Sequence, residues 1–166
     1  MNFINKLNEE KRLLFKKKNI YYVLLIALIF ILDRYTKNKI LNEFNDNTYY
    51  INEFINFDLI WNTGIGFGLL SFDSQLFYNL ISIIIGVVIL IIFHVAIISD
   101  NFDKLIYSII IGGALGNFYD RLILNAVPDF IDVHYNNFYW ITFNIADIFV
   151  TFGIIAFIMK GFFVKN

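Results

Sequence analysis

An all-α integral membrane protein, built as a bundle of four membrane-spanning helices, is the fold class that three observations predict. Hydrophobic residues make up 58% of the 166 in the chain and the mean hydropathy is +0.64, well above the usual range of a soluble domain. Four apolar stretches, 20–37, 76–98, 105–124 and 140–159, come close to the roughly 20 residues that a helix needs to cross a ~30 Å hydrocarbon core. Basic residues gather before the first stretch and after the last, so an even number of crossings joins two ends of like charge.

Read in order, the chain forms a single membrane domain over residues 1–166. Residues 1–19 are a basic tail with Lys6, Lys11, Arg12, Lys16, Lys17 and Lys18, which the positive-inside rule places in the cytoplasm. The first span, 20–37, follows that tail as a signal-peptide core would. It lacks a small-residue cleavage site and three more apolar spans follow, so it is expected to stay as an anchor. Residues 38–75 then lie outside the cytoplasm. Within them the stretch from Tyr49 to Trp61 is rich in aromatic and β-branched residues. Phe57, Leu59 and Trp61 alternate there with Asn56 and Asp58, which is the period of a half-buried strand.

The second span, 76–98, contains no Asp, Glu, Lys or Arg, and the short connection 99–103 returns the chain to the cytoplasmic side. The third, 105–124, leads to an outer loop, 125–139, where Pro128 restricts Val127 and stops a helix from running on. The fourth, 140–159, ends before Lys160 and Lys165, and Trp61 and Trp140 fall at the outer boundary, where amphipathic rings prefer to sit.

Composition also removes function classes. The net charge is −1 and few basic residues lie outside the tail, which leaves no track for nucleic acid. The absence of cysteine removes disulfides, thiolate metal sites and a cysteine nucleophile. His94 and His134 stand alone without an HExxH arrangement and read as structural, so no metal site is expected. The run Asn62-Thr63-Gly64-Ile65-Gly66-Phe67-Gly68 lacks the Lys-Ser/Thr of a phosphate loop and reads as a tight turn.

Polar residues concentrate at one depth instead. An ionisable group within a span costs roughly 2.5–3.5 kcal/mol on insertion scales, so each one is a functional candidate. Asp33, Asp120, Arg121, Asn144 and Asp147 all fall near the outer ends of their spans, and Asn62 and Asp129 come from the segments joining those ends. Gly113, Gly116, Asn117 and Asp120 share one helical face, as do Asn144, Asp147 and Thr151. Asp120 beside Arg121 reads as an internal ion pair, and Gly112 with Gly116 as close helix packing. Intramembrane carboxylates also fit a small transporter or ion-conducting subunit. Transport sites usually lie near the midplane between structural repeats, however, whereas these acids crowd one leaflet and no repeat is visible.

The order and spacing of these motifs resemble those of the lipoprotein signal peptidases, the type II signal peptidases, over most of the chain. Asp33-Arg34-Tyr35-Thr36-Lys37, Asn62-Thr63-Gly64-Ile65-Gly66-Phe67 and the string from Gly112 to Arg121 are similar to the first three signatures of that family. Val127-Pro128-Asp129-Phe130 and Phe143-Asn144-Ile145-Ala146-Asp147 resemble the last two. Arg34, Gly66 and Pro128 depart from its usual Gln, Ala and aliphatic residue, and none of these departures removes a carboxylate.

The resemblance implies a four-helix transmembrane bundle with a small extracytoplasmic β-cradle, sited in the bacterial cytoplasmic membrane. It implies an aspartyl endopeptidase acting on lipid-modified prolipoproteins, with Asp129 and Asp147 catalytic and no cofactor. Asn62, Asn117, Arg121 and Asn144 then become candidates for orienting substrate or supporting the acid pair, while Asp33 and Asp120 brace the bundle. A scaffold that had kept the fold without the chemistry would not require both Asp129 and Asp147.

Overall fold

A computed structural model describes residues 17–43, 48–64, 75–136 and 138–163. Lys6, Lys11, Arg12 and Lys16 of the basic tail, Ile65, Gly66, Phe67 and Gly68 of the glycine-rich run, and Lys165 lie outside the described residues. The elements follow in the order α1 (Asn19–Glu43), β1 (Tyr49–Asn52), β2 (Ile55–Asn62), α2 (Gln75–Ile98), α3 (Asn101–Ile123), β3 (Val127–Tyr135), β4 (Phe138–Phe143) and α4 (Ile145–Phe163).

Among the described residues, three helices are long and apolar enough to cross a membrane: Asn19–Glu43, Tyr78–Ile98 and Ile145–Phe163. The third helix in sequence, α3, has 23 residues but carries Asp103, Lys104, Asp120 and Arg121 and is not among them. Its place in the bundle explains that composition. It packs against α1, α2 and α4, so its polar stripe meets protein rather than lipid. Gly113 and Gly116 permit the approach: a Cβ on Gly113 would collide with the Ala146 carbonyl and Val150, and one on Gly116 with the Asp33 carboxylate.

The small β-structure that the resemblance implies is present as a four-stranded antiparallel sheet in the order β1-β2-β3-β4, so the all-α label does not cover the whole chain. Half of that sheet was legible as the strand pattern from Tyr49 to Trp61. The other half was not: β3 and β4 occupy the stretch expected as a loop at 125–139 and the first residues of the expected helix 140–159. Two local causes set these boundaries. The third helix ends with the Leu124 N–H bonded to the Asp120 carbonyl at 2.7 Å, and Asn125 follows with φ 55°, the left-handed conformation that terminates helices. The fourth helix cannot begin before Asn144, whose side chain caps it.

Pro128 sits inside β3 without breaking the sheet. It faces Trp61 of β2, while pairing with β4 begins only at Ile131 opposite Phe143. At Pro128 the strand thus has a neighbour on one side only, an edge position of the kind where proline is tolerated. The faces of β2 are also the reverse of the amphipathic expectation. Asn56 and Asn62 are buried, whereas Trp61 is 47% exposed, and a register shift between Phe57 and Ile60 turns the strand partway along.

Candidate active site

The site is assembled where the ends of α1, α3 and α4 meet β2 and β3. Asp129, on β3, is 2% exposed. Its Oδ2 accepts from Asn62 Nδ2 at 2.8 Å and its Oδ1 from Asn144 Nδ2 at 2.6 Å. Burial pushes this carboxyl up to about 6, with the negative charge of Asp147 next in effect, against the lowering influence of the Asn62 and Asn144 hydrogen bonds and the Lys37 charge.

Asp147 stands in the first turn of α4. Its Oδ1 accepts from Asn117 Nδ2 at 2.7 Å and its Oδ2 from the Asn144 backbone N–H at 3.2 Å. The Asp147 N–H in turn donates to Asn144 Oδ1 at 3.1 Å. Residues 144–147 thus form a reciprocal capping box. One asparagine ties both acids together: Asn144 holds Asp147 through its backbone and Asp129 through its side chain. The i, i+3 spacing of Asn144 and Asp147 ahead of an apolar run was the sequence signal for the true start of this helix.

Beneath the pair lies a buried ionic cluster. Lys37, fully enclosed, donates to Asp33 Oδ2 at 2.9 Å, Asp120 Oδ2 at 2.7 Å and Asn117 Oδ1 at 2.8 Å. Arg34 reaches Asp120 Oδ1 at 2.6 Å and Asp33 Oδ2 at 3.4 Å, with its guanidinium 4.9 Å from the centre of the Tyr119 ring. Asp33 Oδ1 accepts the Ala146 N–H at 3.1 Å, one of the donors that the start of α4 leaves free. Two acids and two cations balance, as enclosed charges require.

The expected pairing of Asp120 with Arg121 is corrected by these contacts. Successive helical residues point about 100° apart, so Asp120 faces α1 while Arg121 turns to the segment after β2. There Arg121 donates to the Gly64 carbonyl at 2.8 Å, and to the Asn117 carbonyl at 3.3 Å. Gly64 N–H bonds Asn62 Oδ1 at 2.9 Å, so the glycine turn and Arg121 together set the amide that meets Asp129. Lys37 was missed as a site residue because it stood at the end of the expected first span, where a lysine reads as an interfacial anchor. Its i,i+4 spacing from Asp33 was the available signal. His134 lies apart, stacked on Tyr139 with Nδ1 3.5 Å from Asp132. Among the described residues no group of three His, Cys, Asp or Glu could hold a metal ion.

Apart from these polar groups, the walls near Asp147 are apolar. Ile141, Phe143, Ile148, Thr151, Phe152 and Ile155 line an open groove with Asp147 at its edge. A buried Asp129 and a half-buried Asp147, joined through Asn144 beside such a groove and held between membrane-type helices and a small sheet, place the protein in the class of membrane proteins with a paired-acid candidate site.

The sequence model of the family described as Signal peptidase (SPase) II matches residues 25–163, and the chain belongs to that family of peptidases. It is 46% identical to a lipoprotein signal peptidase of Pelagibacter ubique, covering 90% of this chain and 92% of the relative. It is 40% identical to one of Aquifex aeolicus, with coverage of 91% and 92%, and 36% identical to one of Francisella tularensis subsp. novicida, with 87% and 93%. Two solved structures described as a bacterial membrane enzyme, obtained by the in meso method, superpose with TM-scores of 0.68 at 30% identity. They cover 88% of this chain and 92% and 94% of their own. The transporter alternative finds no support in these relatives.

Proposed function

We propose that the protein is a membrane aspartyl endopeptidase that removes the signal peptide from diacylglyceryl-modified prolipoproteins, cutting just before the lipidated cysteine. The observation that carries this reading is the Asn144 bridge between Asp129 and Asp147, together with the family to which the chain belongs.

Two carboxyls brought close in one poorly hydrated site hold a proton between them and titrate as a unit. The ionised member removes a proton from water as it attacks the scissile carbonyl, and the protonated member donates to the carbonyl oxygen. The gem-diol then collapses: the carboxyl that took water's proton gives it to the nitrogen, the other carboxylate takes a proton from a gem-diol hydroxyl, the C–N bond breaks, and a carboxylic acid on the signal peptide and a free amine on the lipidated cysteine result. Asn62, Asn117 and Asn144 hold the carboxylates, and Arg121 supports the Asn62 turn. Asp33 and Asp120 brace the helices with Lys37 and Arg34.

In the membrane, α3 serves as the fourth span, with its polar face turned toward its neighbours. Both chain ends lie in the cytoplasm, and the acid pair and sheet lie at the outer face of the bacterial cytoplasmic membrane. Bilayer lipid surrounds the apolar outer faces of the helices.

Purified protein incubated with a diacylglyceryl prolipoprotein should yield a shortened lipoprotein and a free signal peptide on a gel. Asp129→Asn and Asp147→Asn should each reduce turnover by at least about a thousandfold, and the double variant should be hardly slower than either, since the pair acts as one unit. Near-normal cleavage by either single variant would overturn the aspartyl mechanism.

A further inference from the structure

Three asparagines meet the acid pair, and an amide helps a carboxylate only when its NH2 end faces it. Each is fixed by a group that can only donate. The Gly64 N–H bonds Asn62 Oδ1 at 2.9 Å, the Asp147 N–H bonds Asn144 Oδ1 at 3.1 Å, and the Lys37 ammonium bonds Asn117 Oδ1 at 2.8 Å. The opposite ends therefore donate to Asp129 Oδ2, Asp129 Oδ1 and Asp147 Oδ1 respectively. Two of these locks are backbone groups within two or three residues of the asparagine. The third is a side chain from another helix, 80 residues away in sequence.

We infer that Lys37 is a positioning residue for the reaction, acting on Asp147 through the amide of Asn117. The inference rests on the proposed catalytic role of Asp147. The ammonium has three protons and uses them on Asp33, Asp120 and Asn117, so none is left to turn elsewhere. The two acids hold its nitrogen in place, and Arg34 balances their charge. Without the ammonium, the amide of Asn117 is free to rotate and set its oxygen against Asp147 Oδ1, lone pair to lone pair. The carboxylate would then leave the orientation that its other contact, to the Asn144 N–H, allows. Lys37 is fully enclosed and its ammonium is committed to these three protein groups, so the effect should fall on turnover and leave substrate binding alone.

The test is a double-mutant cycle on the full chain with diacylglyceryl prolipoprotein, run in the Asp120→Asn background, where loss of the Lys37 charge leaves Asp33 and Arg34 balanced. Lys37→Met should lower kcat by about 10- to 100-fold, the range a small misplacement of a reacting group produces, with KM within about twofold. Asn117→Ala should lower kcat by a similar factor, and adding Lys37→Met to it should cost hardly anything more. Factors that multiply, or a Lys37→Met effect confined to KM, would overturn the inference. The same cycle in the unaltered chain gives the answer if Asp120→Asn does not fold. Inactive Asp147→Asn with multiplying factors defeats only the Lys37 role. Active Asp147→Asn defeats the dyad itself.

Discussion

Asp129 is held in surroundings that oppose its ionisation. Burial is the main cause, the neighbouring Asp147 charge adds to it, and the carboxyl is pushed up to about 6 from 3.8. An unfolded chain loses this proton near the ordinary carboxylate value, so between pH 4 and 6 the native state binds more protons than the unfolded one. Native stability therefore falls as pH rises through that window and levels off above it, by roughly 1–3 kcal/mol in all. Asp129→Asn takes this carboxyl out of the pair and leaves Asp147 to titrate alone. The variant's amide turns one NH2 toward Asn62 or Asn144, at a cost that is the same at every pH. The stability of the variant relative to the parent should thus improve from pH 4 to 6 and stay level above, as read from thermal unfolding. A difference that is flat across the whole range would show that Asp129 is not destabilised as an anion.

Among the elements, α3 brings the site together, and its glycines set how closely its partners approach. A Cβ on Gly116 would overlap the Asp33 carboxylate and press on Ala146. Gly116→Ala should therefore push the Asp33 carboxylate off Lys37 and the N–H at the start of α4 and cost at least about 2 kcal/mol, since those partners hold it in place. Gly161 is the internal control: it lies in the last helix with nothing within 4 Å of an added Cβ. Gly161→Ala should be neutral or raise stability by up to about 1 kcal/mol, through helix propensity alone. Thermal unfolding in detergent would rank the two, and equal effects would contradict the packing described. At the opposite end of the bundle, Lys160 of α4 pairs with Asp103 and lies 3.5 Å from Asp100 at the start of α3.

At the scale of the whole molecule, apolar surface and enclosed charge divide the protein. Large hydrophobic side chains such as Leu28, Leu90 and Phe152 lie exposed around the outside of the bundle, an arrangement that suits lipid as the surrounding medium. The acid pair and its ionic cluster lie near one end, and the Lys160 contacts near the other. The proposed topology makes the first of these ends external. Reporter fusions in 45–56 should read extracytoplasmic, and fusions in 99–103 or after Lys165 should read cytoplasmic. An external carboxyl terminus would strand the acid pair on the wrong side. In the same frame, a lipid-anchored substrate is delivered to the depth of the site, so prolipoprotein lacking diacylglycerol should be cut far more slowly.

The sequence by itself determined the membrane class, the concentration of polar residues at the helix ends and the family. Those properties are carried by hydropathy and by short motifs, each of which is local. It also carried the strand pattern after the first helix, because side chains with a period of two are visible without a partner. The rest was decided by contacts between distant segments. β3 became a strand because β2 was there to pair with it, and β4 because β3 was; the same residues read alone resembled a loop and a helix start. Asp120 chose Lys37 and Arg34 over its neighbour Arg121 because helix geometry points adjacent residues apart and α1 happens to lie on the first side. Asn117 joined Lys37 to Asp147 for the same reason: a hydrogen bond across 80 residues has no periodicity to betray it, and only the packed bundle brings its ends together.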